Sequence, residues 1–281
     1  MGTESVGKIG ELHLEYARRG CTTVLTHSHS CSPWHCFPPL YLDDTGCATT
    51  FLVNPSGGLV GGDRLSLFAK LGKGTHVLFS TPSATKVYRS VSESSVQFVD
   101  LTMDSGAILE WIPEPTIPFA GSRFDQRITV RLGPGALVVF WDALASGRVA
   151  RGEQWAFTRL ANQIKITTAG GKSVIERYIL SPTRDERGVG LVAEWNYVAS
   201  LYLVSDGVDS ETWKRIEGNL AEVLDSFPNR VLGGVSETRA PGLVVKLVTR
   251  SAPELHAVLE GMWGIVRAHL WGASVPALRR S

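Results

Sequence analysis

The 281-residue sequence has no excess of charge of either sign. It carries 28 basic and 27 acidic residues, which gives a formal net charge of +1. Nucleic acids and anionic membrane surfaces attract proteins through clustered positive charge, and here the Lys and Arg residues are scattered along the chain. The composition therefore argues against a nucleic-acid partner and against a membrane-surface partner.

Long apolar runs are also missing. The longest, at residues 136–145, is interrupted by Asp142 and has half the length of roughly 20 residues that a membrane-spanning helix needs. The first 20 residues include Glu4, Glu11 and Glu15 and no apolar run, unlike a secretory signal. We expect a soluble, cytoplasmic protein that does not bind membranes.

Cysteine is scarce and confined to one end of the chain. All four cysteines (Cys21, Cys31, Cys36 and Cys47) lie within the first 50 residues, whereas a disulfide framework would be spread through a small secreted chain. Free thiols in a reducing cytosol are the better interpretation.

Familiar catalytic motifs are absent from the sequence. There is no G-x-S-x-G nucleophile elbow and no H-E-x-x-H pair. Residues 169–173 approach a phosphate-binding loop, but that pattern needs a glycine where Ile166 stands. His76, His256 and His269 stand alone. We therefore predict no catalytic residues and a protein that is not an enzyme.

Most of the chain has the pattern of short strands. Apolar residues alternate at residues 95–103, 127–132 and 163–168, and residues 137–141 form a continuous apolar strand. Turn signals separate these segments, at residues 55–58, 72–74, 104–106, 133–135 and 169–172. The pattern predicts a mainly β fold of many short strands, arranged as a sandwich, a barrel or a coil.

Two helices are predicted near the carboxyl end. One covers residues 211–224 with Ser210 as its N-cap, and the other covers residues 253–270 with Ser251 before it. A strand at residues 242–249 lies between them. We expect a single domain over residues 1–281, with a β region at about 20–205 and a helix-strand-helix region at about 209–272.

The most distinctive segment is GGLVGGDRL at residues 57–65, with paired glycines at Gly57, Gly58, Gly61 and Gly62. By itself it is typical of a glycine-rich turn between strands. Further elements follow in order: TKVYR at residues 85–89 (Thr85, Lys86, Tyr88), LEWIP at 109–113, FWD at 140–142, SGR ending at Arg148, Gly152-Glu153 and Glu176-Arg177.

This ordered set resembles the UreD (also UreH) family of urease accessory proteins, from about residue 20 to residue 275. The chain departs from the family pattern at Pro82 and at Glu114-Pro115, which puts details of partner contact in doubt. The resemblance implies a non-catalytic assembly factor that binds UreF, the GTPase UreG and apo-urease. It leaves open a homo-oligomer within that complex.

The resemblance also implies a β-helix-like stack of strands with two helices, and an internal passage that leads nickel toward the urease active site. No cofactor would be bound tightly, and nickel would be bound transiently. Thr85, Lys86, Tyr88, Arg148 and the paired glycines would serve as partner contacts or as fold-specific contacts.

Carboxylates within the matched elements are the candidates for lining such a passage. Weakly binding oxygen and nitrogen groups suit a metal that must be released, and a buried carboxylate must be paired, bind a cation or face water. The candidates are Asp63, Glu110, Asp142, Glu153 and Glu176. Asp142 is the strongest because apolar residues surround it, and a structural pairing with Arg148 or with backbone amides is its alternative role.

Two other functions remain open from the sequence. Glu110, Asp142 and Glu176 would form an unrecognised enzyme site if they converged beside a substrate-sized pocket. A purely structural β protein is the other possibility.

A separate cluster of metal-ligating residue types lies near the amino end. His27, His29, Cys31 and His35 fall within ten residues and offer borderline and soft ligands. The alternative is a polar strand with incidental histidines.

Overall fold

Two β-sheets form the body of the protein, and the computed structural model describes them within residues 7–182 and 194–278. The ends of the predicted 1–281 domain lie outside these residues. Sheet A has seven strands: β1 (Ile9–Arg19), β2 (Thr22–Ser30), β4 (Arg64–Leu71), β7 (Ser95–Met103), β10 (Arg123–Leu132), β12 (Arg159–Thr167) and β13 (Ser173–Leu180).

Sheet B has nine strands, and two of them are very short. Its members are β3 (Ala48–Phe51), β5 (His76–Ser80), β6 (Thr85–Val87), β8 (Ile108–Ile112), β9 (Thr116–Pro118), β11 (Leu137–Ala145), β14 (Tyr197–Ser205), β15 (Val231–Glu237) and β16 (Gly242–Thr249).

The chain winds between the two sheets and stacks each coil on the one before it. In sheet A, β1, β4, β7, β10 and β12 pair in parallel, and in sheet B, β3, β5, β8 and β11 do the same. Antiparallel strands then close the stack, with β2 and β13 at the edges of sheet A and β14, β16 and β15 continuing sheet B. The predicted mainly β, stacked-strand fold is confirmed.

Equivalent glycine turns form one corner of three successive coils. Gly74, Gly106 and Gly135 have φ values of +64°, +66° and +66°, a left-handed conformation that costs glycine little. Backbone hydrogen bonds join neighbouring corners: Gly74 N donates to Ser105 O at 3.0 Å, and Gly106 N donates to Pro134 O at 2.9 Å. These turns fall where the sequence predicted them.

Both predicted helices are present. Helix α1 (Ser210–Asp225) is capped by Asp209, whose side chain accepts a 2.8 Å hydrogen bond from Thr212 N, so the predicted cap at Ser210 was wrong by one residue. Helix α2 (Ala252–Trp271) is capped by Ser251 as expected. A short 3₁₀ turn (Val149–Arg151) follows β11.

Two hydrophobic cores result from this layering. One fills the space between the sheets, with residues such as Leu67, Val99, Val130 and Phe140. The other lies between the outer face of sheet B and the helices, and includes Trp263. Among the described residues, no helix is both long enough and apolar enough to cross a bilayer.

Two local expectations were wrong, and one further segment lacks regular structure. The β region begins with β1 at Ile9, not near residue 20, because Leu12, Leu14 and Tyr16 alternate toward the core. The helices are separated by a β15–β16 hairpin rather than a single strand. Residues 34–37 form no strand, and only an isolated bridge joins His35 to Val53.

Candidate functional site

A row of polar side chains crosses the inner face of sheet A. Gln97, Gln126, Asn162 and Tyr178 are partners in register on β7, β10, β12 and β13. Each shares its strand face with core residues, since successive side chains alternate between faces. Four adjacent strands therefore present polar groups, at one level, to the space between the sheets.

A second row faces it from sheet B. Asp142, Ser200 and Lys246 are partners in register on β11, β14 and β16. Asp142 shares its strand face with the core residues Val138, Phe140 and Leu144. We call the two facing rows together the polar row.

Asp142 joins the two sheets through side-chain amides. Asn162 Nδ2 donates to Asp142 Oδ2 at 2.6 Å, and Gln126 Nε2 donates to Asp142 Oδ1 at 3.3 Å. Gln126 also donates to Asn162 Oδ1 at 3.2 Å, and Asn162 donates to the Tyr178 hydroxyl at 3.1 Å. Both carboxylate oxygens are thus held by neutral donors, and no arginine pairs with them among the described residues.

Burial raises the pKa of the Asp142 carboxyl above its ordinary value, and the hydrogen bonds from Gln126 and Asn162 offset this only in part. Burial likewise raises the pKa of Tyr178, and the nearby Asp142 charge adds to the effect. The centre of the polar row therefore disfavours a net negative charge unless a cation is close.

Three cavities meet at Asp142. The first, of about 140 Å³, reaches from Gly57 and Lys86 to Asp142. The second, of about 380 Å³, reaches from Asp142 to Glu176 and Lys246. Between them a space of about 10 Å³ touches Asp142, Gln126 and Asn162, enough for roughly one water-sized particle. Asp142 thus lines both larger cavities and the small space that shares residues with each of them, which we call the constriction.

Glu176 and Lys246 form the far end of this arrangement. The Lys246 ammonium donates to the Glu176 carboxylate, and also to the Tyr202 hydroxyl at 3.2 Å. The side chains of Glu176 and Lys246 are 26% and 47% exposed, so this end is open to solvent, and Asp142 is half-buried. Of the five predicted carboxylates, the structure brings Asp142 and Glu176 to one cavity.

The glycine-rich segment and the TKVYR segment form the opposite end. Leu59 N donates to Lys86 O, and Tyr88 N donates to Leu59 O, each at 2.8 Å. Gly58, at φ +154°, sits so close to strand β6 that an added Cβ would lie 2.5 Å from Lys86 O. Gly57, Gly58, Thr85 and Lys86 line the first cavity. The two segments are therefore one structural unit at its mouth.

Tyr88 and Arg148 support this end from the side. The Tyr88 hydroxyl donates to Gly57 O at 3.2 Å, and its ring contacts Phe119 edge-on at 5.0 Å. The Arg148 guanidinium lies 4.4 Å from the Phe119 ring centroid and pairs with Glu153. The suggested pairing of Asp142 with Arg148 was wrong, because Arg148 is engaged by Glu153.

Asp63 holds its loop through backbone amides. It is 1% exposed, and its two oxygens accept hydrogen bonds from Lys8 N at 2.8 Å and from Val60 N at 2.9 Å. Gly61 and Gly62 lie in the same loop, against Ser90 and Gly7. Asp63 does not line the described cavities that meet at Asp142.

Glu110 faces away from the polar row, toward the helices. His76 Nε2 contacts its Oε1 at 2.6 Å, and Arg267 and Trp263 of α2 donate to its two oxygens. Burial opposes ionisation, but the hydrogen bond and charge of His76 and the charge of Arg267 lower the pKa of Glu110 overall. This buried ion pair fastens α2 to sheet B.

Cys47, His76 and Glu110 are the one group of three described side chains whose ligand atoms lie within 4.8 Å of one another. A cation there would have to displace Arg267 from Glu110. Burial also raises the pKa of Cys47 well above its ordinary value, which keeps the thiol in its weakly coordinating neutral form. The group is typical of a structural contact rather than a metal centre.

The predicted amino-terminal ligands lie far from this interior. His27 and His29 are exposed on edge strand β2, Cys31 follows it, and His35 lies beyond. Cys31 Sγ is 3.4 Å from His29 Nε2, whereas the His35 ring rests on Phe37 at 4.6 Å.

Comparison with known proteins decides the family. The family described as UreD urease accessory protein matches residues 8–281. The chain belongs to the UreD family. It is 33% identical over 285 residues to urease accessory protein UreD 2 of Streptomyces griseus, covering 98% of this chain and 95% of the relative. It is 32% identical over 275 residues to urease accessory protein UreD of Deinococcus radiodurans, covering 97% and 95%.

In this UreD-family chain, the residues that sequence reasoning missed are the neutral members of the polar row. Gln97, Gln126, Asn162 and Tyr178 occupy positions that alternate with core residues. The sequence did contain a signal: each of these polar residues stands at a strand position where the alternating pattern places an apolar, inward-facing residue. The alignment of the four depends on strand register, which the local pattern does not reveal.

Proposed function

We propose that this UreD-family protein is a non-catalytic factor in urease maturation that conducts nickel through its interior, past Asp142. The observation that carries the proposal is the meeting of three cavities at Asp142, between two rows of polar side chains. Through family membership, the partners we propose are UreF, UreG and apo-urease. Nickel is the cargo in this scheme.

The chemistry of the polar row suits a cation in transit. Apart from the Lys246 ammonium, its groups are one carboxylate, side-chain amides and hydroxyls, which are hard or borderline donors that hold a divalent nickel ion weakly. Because burial raises the pKa of Asp142, a metal that stays must offset the cost of ionising it. A cation is therefore accepted at the constriction and then released toward the wider cavity.

The two ends of the path differ in charge. Lys86 lies at the glycine-lined end, and the ion pair of Glu176 with Lys246 lies at the other. A cation that reaches Glu176 competes with the Lys246 ammonium for the same carboxylate. That competition limits how long the cation stays bound at the exposed end and favours its onward transfer.

The enzyme alternative has less support. It required Glu110, Asp142 and Glu176 to converge beside one pocket, but Glu110 lies on the other face of sheet B and is paired with Arg267. Asp63 and Glu153 are also held by their own partners. The passage we propose therefore rests on Asp142 and Glu176 rather than on all five predicted carboxylates.

The test is urease activity in cells that express the cognate apo-urease, UreF and UreG in nickel medium, with and without this chain. We expect activity only with the chain, and a loss of at least about tenfold for Asp142→Asn. The matched control is Asp125→Asn, since Asp125 lies on β10 of sheet A as a part-exposed partner of Arg159 at 2.9 Å.

Retention of full activation by Asp142→Asn, at equal protein level, would falsify the passage while leaving the accessory role intact. Equal activity with and without the chain would instead remove the accessory role itself. The two failures are therefore distinguishable.

A further inference from the structure

The hairpin of β1 and β2 places metal-ligating side chains opposite one another on its outer face. Glu11, His13 and Glu15 point outward on β1, because Leu12, Leu14 and Tyr16 point into the core. Their partners on β2 and just beyond are also ligand types. The three cross-strand pairs are Glu11 with Cys31, His13 with His29 and Glu15 with His27.

The central members of this set are already close. His13 and His29 are direct partners in the ladder, with ring centroids 6.1 Å apart. His13 Nε2 is 3.5 Å from Glu11 Oε2, and His29 Nε2 is 3.4 Å from Cys31 Sγ. Cβ atoms of directly opposed residues are about 4.5–5.5 Å apart, so small rotations bring both imidazoles onto one ion.

One of the two imidazoles packs on a neighbouring strand, and the other is exposed. The His13 ring stacks on Phe68 of β4, with centroids 4.7 Å apart and planes at 20°. His29, Glu11 and Cys31 are exposed. Strand β2 is the edge of sheet A. The outer face of the hairpin thus combines a packed ligand with exposed ones at an edge of the sheet.

We infer that the outer face of the β1–β2 hairpin binds a divalent late transition-metal ion, with His13 and His29 as the central ligands and Glu11 and Cys31 flanking them. Imidazole nitrogen suits nickel, copper and zinc, and a thiolate adds preference for these over magnesium or calcium. The Glu15–His27 pair lies next along the ladder and supplies further donors.

This site differs from the linear cluster that the sequence indicated. His35 lies past the end of β2, where its backbone bonds to Val53, so it is not among the ligands. Two ligands come instead from β1, which is separated from β2 by one short turn. The site lies on the outside of sheet A, so it does not depend on the passage proposed around Asp142.

The experiment is a calorimetric titration of the purified, untagged full chain with NiCl₂ at neutral pH. We expect one ion per chain, and a loss of affinity of at least about tenfold for His13→Ala and for His29→Ala, since even outer-sphere partners of a metal site are typically worth 10–100-fold. The matched control is His35→Ala, which we expect to bind as the unaltered chain does. We expect Asp142→Asn also to bind nickel at the hairpin as the unaltered chain does.

A second readout reports on Cys31 directly. Bound nickel should slow alkylation of Cys31 by iodoacetamide and leave Cys21, which is also exposed, unaffected. Unchanged binding in both His13→Ala and His29→Ala overturns the inference, as does the absence of any nickel binding. An equal loss in His35→Ala also overturns it, because it would place the metal on the linear segment.

Discussion

Asp142 of sheet B and Asn162 of sheet A meet across the interior of the protein, where Asn162 Nδ2 donates a 2.6 Å hydrogen bond to Asp142 Oδ2. This contact links the two sheets at the constriction between the cavities. The charged member of this contact is Asp142. The described side chains that donate hydrogen bonds to it, Asn162 and Gln126, are neutral. We therefore expect the free energy of unfolding to depend on whether Asp142 is ionised.

The ionisation of Asp142 should cost stability as pH rises. Its pKa is raised in the folded protein, so between the ordinary value for Asp, about 3.9, and the raised value the folded state binds more protons than the unfolded state. The contribution of Asp142 to the free energy of unfolding then falls with increasing pH across that window. We expect Asp142→Asn to remove this contribution and so to change the pH dependence of stability, as measured by urea unfolding at a series of pH values.

The control for this measurement is Asp125→Asn. Asp125 lies on the outer face of sheet A, so the variant should show the same pH dependence of unfolding as the unaltered protein. If the free energy of unfolding of Asp142→Asn depends on pH in the same way as that of the unaltered protein, another group is responsible for the pH dependence. A strongly destabilised Asp142→Asn would mean that the ionised carboxylate supports the fold.

The ion pair of Glu110 with Arg267 should dominate the attachment of α2. Both side chains are fully buried, and removal of Arg267 leaves the Glu110 carboxylate with His76 but without its guanidinium. Breaking a buried ion pair in this way costs about 3–5 kcal/mol. We therefore expect Arg267→Met to lower the free energy of unfolding by that amount. Arg131→Met is the comparison, since Arg131 is 53% exposed beside Asp100 and an exposed pair contributes about 0–1 kcal/mol.

Denaturant unfolding of the two variants under the same conditions is the measurement. Similar losses for Arg267→Met and Arg131→Met would contradict the anchoring role.

The close approach of Gly58 to β6 should exclude any side chain there. An added Cβ would lie 2.5 Å from Lys86 O and 2.6 Å from Tyr88 Cε2, and φ at +154° is itself unfavourable for alanine. We expect Gly58→Ala to cost at least about 1–3 kcal/mol. Gly234→Ala is the matched control, because a Cβ there meets nothing within 4 Å, and alanine is favoured over glycine in a strand by about 0.5–1 kcal/mol.

Thermal unfolding distinguishes the two glycine variants. A Gly58→Ala protein as stable as Gly234→Ala would show that the loop can move away from β6 without loss.

Much of the fold was visible in local sequence patterns. The strands at Ser95–Met103 and Gly242–Thr249 were predicted with their observed limits, because their apolar residues alternate cleanly between turn residues. Strand β1 was missed because its outward residues, including Glu11 and His13, gave the segment a polar appearance. Strand β15 was missed because Gly233 and Gly234 interrupt it.

The site was predictable only in part, and the reason is distance along the chain. Asp142 could be singled out because a charged residue within an apolar strand needs an explanation. Its partners Gln126 and Asn162 could not, since parallel register decides which residues face each other. The pairing of Glu110 with Arg267 joins residues 157 positions apart, and no local pattern carries that information.

That separation has a consequence for how the protein is made. Glu110 leaves the ribosome long before Arg267, which lies near the end of α2. Until α2 emerges, the Glu110 carboxylate has no guanidinium and the outer face of sheet B is covered by α1 alone. The buried network around Glu110 therefore stays incomplete until α2 has been made, and that helix completes it.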